Sequence, residues 1–558
     1  MIKQVGSVSL DYTFYRGEDL YTDGEIEDML LEACENNESE KLLYSSNQWP
    51  VLYHFSDIRE NLLEWYPFTK EDDVLEIGSG CGAISGVLSR KAGAVTCIEL
   101  SEKRSLINAH RNKDCDNIMI MIGNFQDIEP RIGKYDYITL IGVWEYSELY
   151  IDGEDSYLQM LAIAKKHLKP GGKIIIAIEN KMGLKYWNGA PEDHTGQMYG
   201  GMNDYVKDRN RKVRTFSKME IVNMLKRADL DKYTFYYPMP DYKLPETIYS
   251  DQMLPMPGME RNFGKDYSAM RVYNFNDAIV SDQISHDGMF PYFSNSFLVV
   301  AGEEDTKTSY AKYSRCRRKE FRIKTEICDR NGRKLVRKAA LNELAKPHIL
   351  KMKQNEEKWK NCFPKLKYVE GWLENDEYVI PYIEGMDLDV VFYEVRNQPD
   401  KFVGNFIYYV ENYLKPQDEE LKPFQMTDKF ASIFGETYPD DAKSLKVTNI
   451  DLIFSNLKIT ADNQLYCFDY EWVFDFPIPY KYVIWRSAWQ LYGKFYAYLK
   501  GSLSAEQFLE MVGLRREDLR IYAKMDYNLS SYVYGENMNE KYPENYRKSV
   551  IMQDIRFL

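Results

Sequence analysis

No stretch of this 558-residue chain approaches the ~18 consecutive apolar residues that span a bilayer. The opening residues, MIKQVGSVSLDYTF, lack the apolar core of a secretion signal. Both absences predict a cytoplasmic protein. The eight cysteines include no C-x-x-C pair, which argues against a structural zinc site or a disulfide framework and leaves the thiols as core filler. Positive charge is in deficit: 72 Lys and Arg face 86 Asp and Glu, for a net charge of −14. That balance disfavours broad binding to nucleic acid or anionic membrane, while leaving room for a local basic pocket. Internal repeats, low-complexity tracts and heptad runs are missing too. Tyrosine is abundant, at 45 residues, which suits a carbohydrate-contacting surface but suits ordinary cores better.

The length allows two to four domains of ~100–200 residues. From about 70 to 180, short β-rich runs alternate with helical stretches, the βαβ rhythm of a parallel sheet. The runs are DVLEIG (73–78), AVTCIEL (94–100), IMIMIG (118–123), YDYITLIGV (135–143) and GKIIIAIEN (172–180). A helix is expected to open at Ser217, with Glu220 completing a capping box. YTFYYPMPD (233–241) and SFLVVAGEE (296–304) supply the last two strands, and a domain boundary is expected near 305. Beyond it, 321–341 reads as a hairpin turning at DRNG, 343–361 as a helix, EYVIPYIEG (377–385) as a strand, and 486–558 as mostly helical.

The segment VLEIGSGCG (74–82) ends a strand in glycines at 78, 80 and 82, which let a ligand meet bare backbone. Glu99 closes the next strand, where a carboxylate can accept hydrogen bonds from ribose hydroxyls. A dinucleotide oxidoreductase would show GxGxxG; here GSGCG follows Glu76. The chain thus resembles the class I S-adenosylmethionine-dependent methyltransferases over about 50–305, with five motif-bearing elements in order. The resemblance implies S-adenosylmethionine as cofactor, held by Glu76, Gly78, Gly80, Gly82, Glu99, Asn124 and Phe125. The segment ENKMGLKYWNGAPEDHTG (179–196) follows the fifth strand, on the edge where open α/β sheets bind substrate. Lys181, Lys185, Tyr186, Trp187, Glu192 and Asp193 are its expected acceptor-binding residues, and His194 its catalytic residue.

A second pattern, NIDLIFSNLKI (449–459) followed by LYCFDYEW (465–472), places Asp451 five residues before Asn456, with Asp469 on the next strand. One carboxylate can act on a hydroxyl while the other two side chains hold Mg²⁺. This resembles the choline-kinase and aminoglycoside-phosphotransferase branch of the protein-kinase-like fold, over about 306–500. By that resemblance Asp451 is catalytic, Asn456 and Asp469 are the metal ligands, Lys338 binds ATP, EYVIPYIEG is the hinge, and Glu356 or Glu357 partners the lysine. Asn449 stands in place of the usual His, and no glycine-rich phosphate loop is evident near 315–330.

Together the resemblances imply an α/β Rossmann-like methyltransferase domain (1–305; a mostly parallel seven-stranded sheet), then a two-lobed α+β protein-kinase-like domain (306–500) with 501–558 as its helical end. The pairing resembles the bifunctional methyltransferase/kinases that terminate bacterial O-antigen chains. It implies a glycan or polysaccharide acceptor, glycosyltransferases of the same pathway as partners, no nucleic acid, and a cytoplasmic place, including the inner face of the membrane through a partner. The alternative is a methyltransferase whose kinase-like half is inactive and binds glycan or a partner.

Overall fold

The computed structural model describes residues 1–19, 22, 24–207, 212–259, 271–303, 306–360, 362–535 and 552–554. A short hairpin, β1 (Ile2–Val5) and β2 (Val8–Asp11), opens the chain. The apolar runs then form β3 (Asp73–Ile77), β4 (Ala94–Glu99), β5 (Ile118–Ile122), β6 (Tyr135–Ile141) and β7 (Leu168–Glu179), hydrogen-bonded in parallel in the order β5-β4-β3-β6-β7. β8 (Tyr233–Met239) and β9 (Thr247–Ser250) pair antiparallel. β10 (Arg271–Tyr273) stands apart, paired with Met552–Asp554. β11 (Ser296–Ala301) inserts antiparallel between β7 and β8, completing the expected seven-stranded, mostly parallel sheet.

Both faces of this sheet are covered. On β7, Ile174, Ile176 and Ile178 enter one core while Ile175 and Ala177 enter the other, as the two-residue period of a strand requires. A continuous apolar run is what such a doubly buried strand needs. The capping box at Ser217 is present and opens the helix Lys218–Arg227.

The sheet continues past these seven strands. β2 adds to β5 in parallel at one edge. At the other, β9 pairs with β12 (Thr308–Tyr313), joining Ala311 to Ile248 and Lys312 to Thr247. β13 (Ile323–Arg330) and β14 (Arg333–Ala340) follow as the expected hairpin. Asn331 and Gly332 both take positive φ at its turn, the backbone that twists with the flanking strands. β15 (Lys367–Tyr368) lies in another sheet, while β16 (Trp372–Glu374) and β17 (Glu377–Pro381) complete a fifteen-stranded array. Helix Lys346–Trp359 packs on β14 and β17. A third large core, around Trp359, Phe402, Phe454 and Tyr482, fills the second half.

The hairpin β1–β2 and strands β9 and β12 were not expected from the sequence. The expected boundary touches residues 304–305, which lie outside the described residues. β12 begins three residues later, yet its Ala311 and Tyr313 belong to the core of the first half. The expected helical end is corrected in part: helices cover Tyr480–Leu499, Ala505–Met511 and Leu519–Tyr534, but Met552–Asp554 is a strand. Residues 536–551 and 555–558 lie outside the described residues. All eight cysteines are free thiols, five of them buried. Among the described residues no helix is long and apolar enough to cross a membrane.

Ending the chain at 305 would strip β12 from β9, exposing an unpaired edge and removing Ala311 and Tyr313 from their core. A fragment 1–314 is expected to melt several degrees above a fragment 1–305 and to aggregate less. Equal melting temperatures would show that β12 contributes nothing to the first half.

Candidate active site

The parallel strands end at one edge, and a cavity of about 650 Å³ opens there. Its wall begins at the turn after β3. Gly78, Gly80 and Gly82 have φ of +71°, +52° and +74°, a region costly for residues with a side chain. A Cβ on Gly80 would meet nothing within 4 Å, so bare backbone faces open space there. Glu99, at the end of β4, is 6% exposed and braces the turn. Its Oε2 accepts from Gly80 N at 2.7 Å, and its Oε1 from Leu100 N at 2.9 Å and Ser101 N at 3.1 Å. Burial raises its pKa, against Arg104 and these N–H groups. Asn124 caps the short helix Phe125–Ile128 by accepting from Gln126 N, which leaves Phe125 presenting its ring to the cavity.

The far wall is built by the segment after β7. Lys243 lies between two carboxylates, with Nζ 3.0 Å from Asp193 Oδ1 and in direct contact with Glu179 Oε1. Lys185 holds the other side of Asp193 at 2.8 Å and also pairs with Asp241. Burial would push the Asp193 carboxyl up, but Lys185 and Lys243 hold it well below the usual range. Glu192 Oε2 accepts from His194 N at 3.1 Å and Thr195 N at 2.6 Å, which fixes the loop. His194 meets the Tyr146 hydroxyl through Nδ1 at 3.2 Å, and its Nε2 lies 3.7 Å from Glu179 Oε2, an ion-pair distance. Burial opposes a charge on the imidazole, yet Glu179 and Glu145 lift its pKa to about 9. Burial and the neighbouring Glu179 push Glu145 up to about 8.

Gly78, Gly80, Glu99, Asn124, Phe125, Glu192, Asp193 and His194 thus line one cavity. The other expected residues do not line it. Glu76 turns beneath the glycine turn, where its Oε2 accepts from Ser85 Oγ and Cys97 Sγ. Gly82 packs against Asn108 and Asn112. Lys181 pairs with Glu220 at 2.6 Å. Lys185 and the Tyr186 hydroxyl bond Asp193 and so position the wall from behind. Trp187 is 40% exposed, with Nε1 donating to Met182 O. Sequence reasoning missed Trp49, Tyr53, His54 and Arg59 on one side of the cavity, and Glu145, Glu179, Tyr242 and Lys243 on the other. For Glu179 a signal existed: an acidic residue closing the apolar run Ile174–Ile178.

In the second half, the expected residues also meet. Lys338 Nζ lies 2.7 Å from Asp469 Oδ1. Asn449 Nδ2 donates to Asp469 O at 2.8 Å, while its Oδ1 accepts from Asp451 N at 2.9 Å. Asn456 Nδ2 donates to Asp451 O at 3.0 Å. Arg486 approaches Asp451 Oδ1 at 3.4 Å, and burial, outweighing Arg486, pushes this carboxyl up to about 6. Glu471 binds Arg317 and, at 2.9 Å, His348 Nε2. The expected lysine partner is corrected. Glu356 spends its oxygens on Lys353, the Tyr378 hydroxyl and Gly371 N, and Glu357 faces Lys353 at 3.7 Å, so Asp469 is the carboxylate that pairs with Lys338.

Residues 50–234 match the model of a family described as "Methyltransferase domain". No curated protein matches the chain. Among solved structures, a complex of the Haloferax volcanii Trm112 methyltransferase activator with its methyltransferase partner is 14% identical, at a TM-score of 0.28, over 50% of this chain and 98% of that one. An O-methyltransferase family 2 protein from Planctomyces limnophilus, with apigenin, is 12% identical at 0.26, over 50% and 65%. Haemonchus contortus phosphoethanolamine N-methyltransferase 1, with phosphoethanolamine and S-adenosylhomocysteine, is 16% identical at 0.26, over 40% and 48%. At these scores none of the three bears on function. The matched family and the glycine turn braced by Glu99 define a class I S-adenosylmethionine-dependent methyltransferase domain in the first half of the chain.

Glu76 yields a pH test. Burial lifts its carboxyl from 4.5 to about 7, against the bonds from Ser85 and Cys97. The folded form therefore favours the protonated group. That stability is fully present below pH 4.5 and is lost as pH rises through 7. The whole shift corresponds to about 3 kcal/mol. Glu76→Gln is expected to gain stability over the parent as pH is raised from 5 to 8 in denaturant melts. A difference between the two that does not change with pH would contradict the buried, raised carboxyl.

Proposed function

We propose that this protein methylates a bacterial surface glycan and couples that step to ATP-dependent phosphorylation of the same glycan. In the first half, the cofactor supplies a methyl group on a sulfonium centre. The protein's work is alignment: the 78–83 turn and Glu99 on the cofactor side, His194 and Tyr146 on the acceptor side. Aromatic side chains around the cavity, Trp49, Tyr53, Tyr146, Tyr150 and Tyr242, suit the faces of a sugar.

The observation that carries the coupled reading is the bonded chain Lys338–Asp469–Asn449–Asp451–Asn456. Asp451, with its pKa raised to about 6, suits a base for a sugar hydroxyl. The hydroxyl oxygen attacks the γ-phosphorus of ATP, its proton passes to Asp451, and ADP leaves. Asn456 and Asp469 fit the oxygen donors of Mg²⁺, which would neutralise phosphate charge. Asn456 turns its Nδ2 to Asp451 O, leaving Oδ1 as the donor atom. Lys338 is the phosphate-facing cation. Asn449 does the bracing expected of a histidine at its position, since it ties Asp451 N to Asp469 O.

A binding-module reading of the second half is favoured by one feature: the β13–β14 turn holds a single glycine, Gly332, and so little bare backbone for phosphates. The two readings part in a reconstituted assay. Asp451→Ala is expected to cut phosphoryl transfer by on the order of 10²–10⁴-fold while ATP binding persists. Asp469→Ala should lose metal-dependent ATP affinity as well. Both variants should still methylate pre-phosphorylated glycan. Equal methylation with and without ATP, on acceptor shown by mass spectrometry to lack phosphate, would reject the coupled order and leave the binding module.

A further inference from the structure

The cavity floor holds three polar atoms whose needs the protein does not meet. Glu145 Oε2, Glu179 Oε2 and His194 Nε2 are buried and have no hydrogen-bond partner. Glu145 is 1% exposed, Glu179 is fully buried, and the His194 side chain is 10% exposed. One ligand atom from each lies within 4.8 Å of the other two. A buried carboxylate oxygen without a hydrogen bond is costly, and the 3.7 Å approach of His194 Nε2 to Glu179 Oε2 offsets part of that cost. All three residues belong to the lining of the cavity.

We propose that Glu145, Glu179 and His194 bind a divalent cation of the Mn²⁺ type, at the acceptor end of the methyltransferase cavity. Two carboxylates favour a hard cation and one imidazole favours a borderline one, and Mn²⁺ accepts both. The groups around the point already stand as a supporting shell. Lys243 and the Tyr242 hydroxyl hold Glu179 Oε1, leaving Oε2 for the cation. Tyr146 Oη lies against His194 Nδ1, which fixes the ring with Nε2 directed at the site, the support that metal-bound histidines need. Charge agrees. A bound cation takes its ligands deprotonated, and the carboxylates of Glu145, Glu179, Asp193 and Asp241 then outnumber the ammonium groups of Lys185 and Lys243 by two. A divalent cation supplies the missing positive charge.

What the cation does rests on the methyltransferase reading. Three protein ligands leave positions facing the cavity for an acceptor oxygen. A bound hydroxyl loses its proton to solvent and attacks the methyl carbon. The new C–O bond forms as the C–S bond breaks, and S-adenosylhomocysteine departs with the electron pair on sulfur. A phosphate oxygen would bind the same cation and react with no proton to lose. In either case the cation reconciles a negatively charged cavity floor with an oxygen nucleophile.

The test is electron paramagnetic resonance of Mn²⁺ added to the full chain, without ATP and in an Asp469→Ala background, which removes the second half as a competing site. One Mn²⁺ per chain is expected, with pulsed spectra showing coupling to an imidazole nitrogen. Glu145→Gln should weaken binding at least tenfold, and His194→Gln should abolish the nitrogen coupling. Melting curves identify any variant that fails to fold. In that event the nitrogen coupling of the Asp469→Ala protein decides alone. No Mn²⁺ bound at millimolar concentration, or bound Mn²⁺ without nitrogen coupling, overturns the site. Calorimetry of S-adenosylmethionine on the same protein is read separately. Cofactor binding without Mn²⁺ binding sinks the cation site alone. Mn²⁺ binding without cofactor binding keeps the site and sinks the methyl-transfer reading.

Discussion

A largely buried ammonium wedged between two carboxylates, one of them fully buried, is the contact on which the site depends. Lys243 joins Glu179, which ends the apolar run Ile174–Ile178 of β7, to Asp193, on a loop with no regular structure of its own. It helps keep both ionised, together with Lys185 at Asp193 and His194 at Glu179. With Lys243 in place, and Lys185 and Tyr186 behind Asp193, the loop is pinned across the carboxyl edge of the sheet and His194 is set over the cavity. The expected acceptor residues therefore divide by task. Glu192, Asp193 and His194 face the cavity, whereas Lys185 and Tyr186 hold them there.

The two halves of the chain share one sheet, and their contact is more than the single β9–β12 seam. Arg315 Nε donates to Asn61 Oδ1 at 2.6 Å and its Nη2 pairs with Glu60 at 3.1 Å. Arg322 reaches Asp57 at 2.9 Å. On another side, the Tyr498 hydroxyl donates to Asp282 and Gln283 donates to the Tyr393 hydroxyl. The Arg315 side chain is 8% exposed and Asp282 is buried, so the bonds of these two are shielded from screening by salt. The cavity of the first half and the Lys338–Asp469 grouping of the second are thus carried on a continuous framework, not on separate bodies joined by a tether.

Legibility from the sequence followed a physical rule. Features set by local chemistry were readable: the positive-φ glycines, the capping box at Ser217, the Asn331–Gly332 turn, and strands buried on both faces. Features set by distant partners were not. Strands β2, β9 and β12 add to the sheet through pairing with distant segments, and β1 pairs only with β2. Lys243 and Glu145 each look like ordinary surface charges in sequence; their burial is a property of the assembled edge. The segment 49–59 supplies Trp49, Tyr53, His54 and Arg59 to the cavity with no motif to mark it. Glu356 failed as the partner of Lys338 because Tyr378 and Gly371 capture its carboxylate first, a competition visible only in three dimensions.

The cofactor site itself comes down to one carboxylate and one turn. Calorimetric titration of S-adenosylmethionine into the full chain and into Glu99→Ala tests it directly. One equivalent should bind per chain, and the variant should bind more weakly by about 1–3 kcal/mol, the loss of a charged acceptor at a buried polar contact. Absence of binding, or equal affinity in a folded Glu99→Ala protein, would contradict the assignment of this cavity to the cofactor.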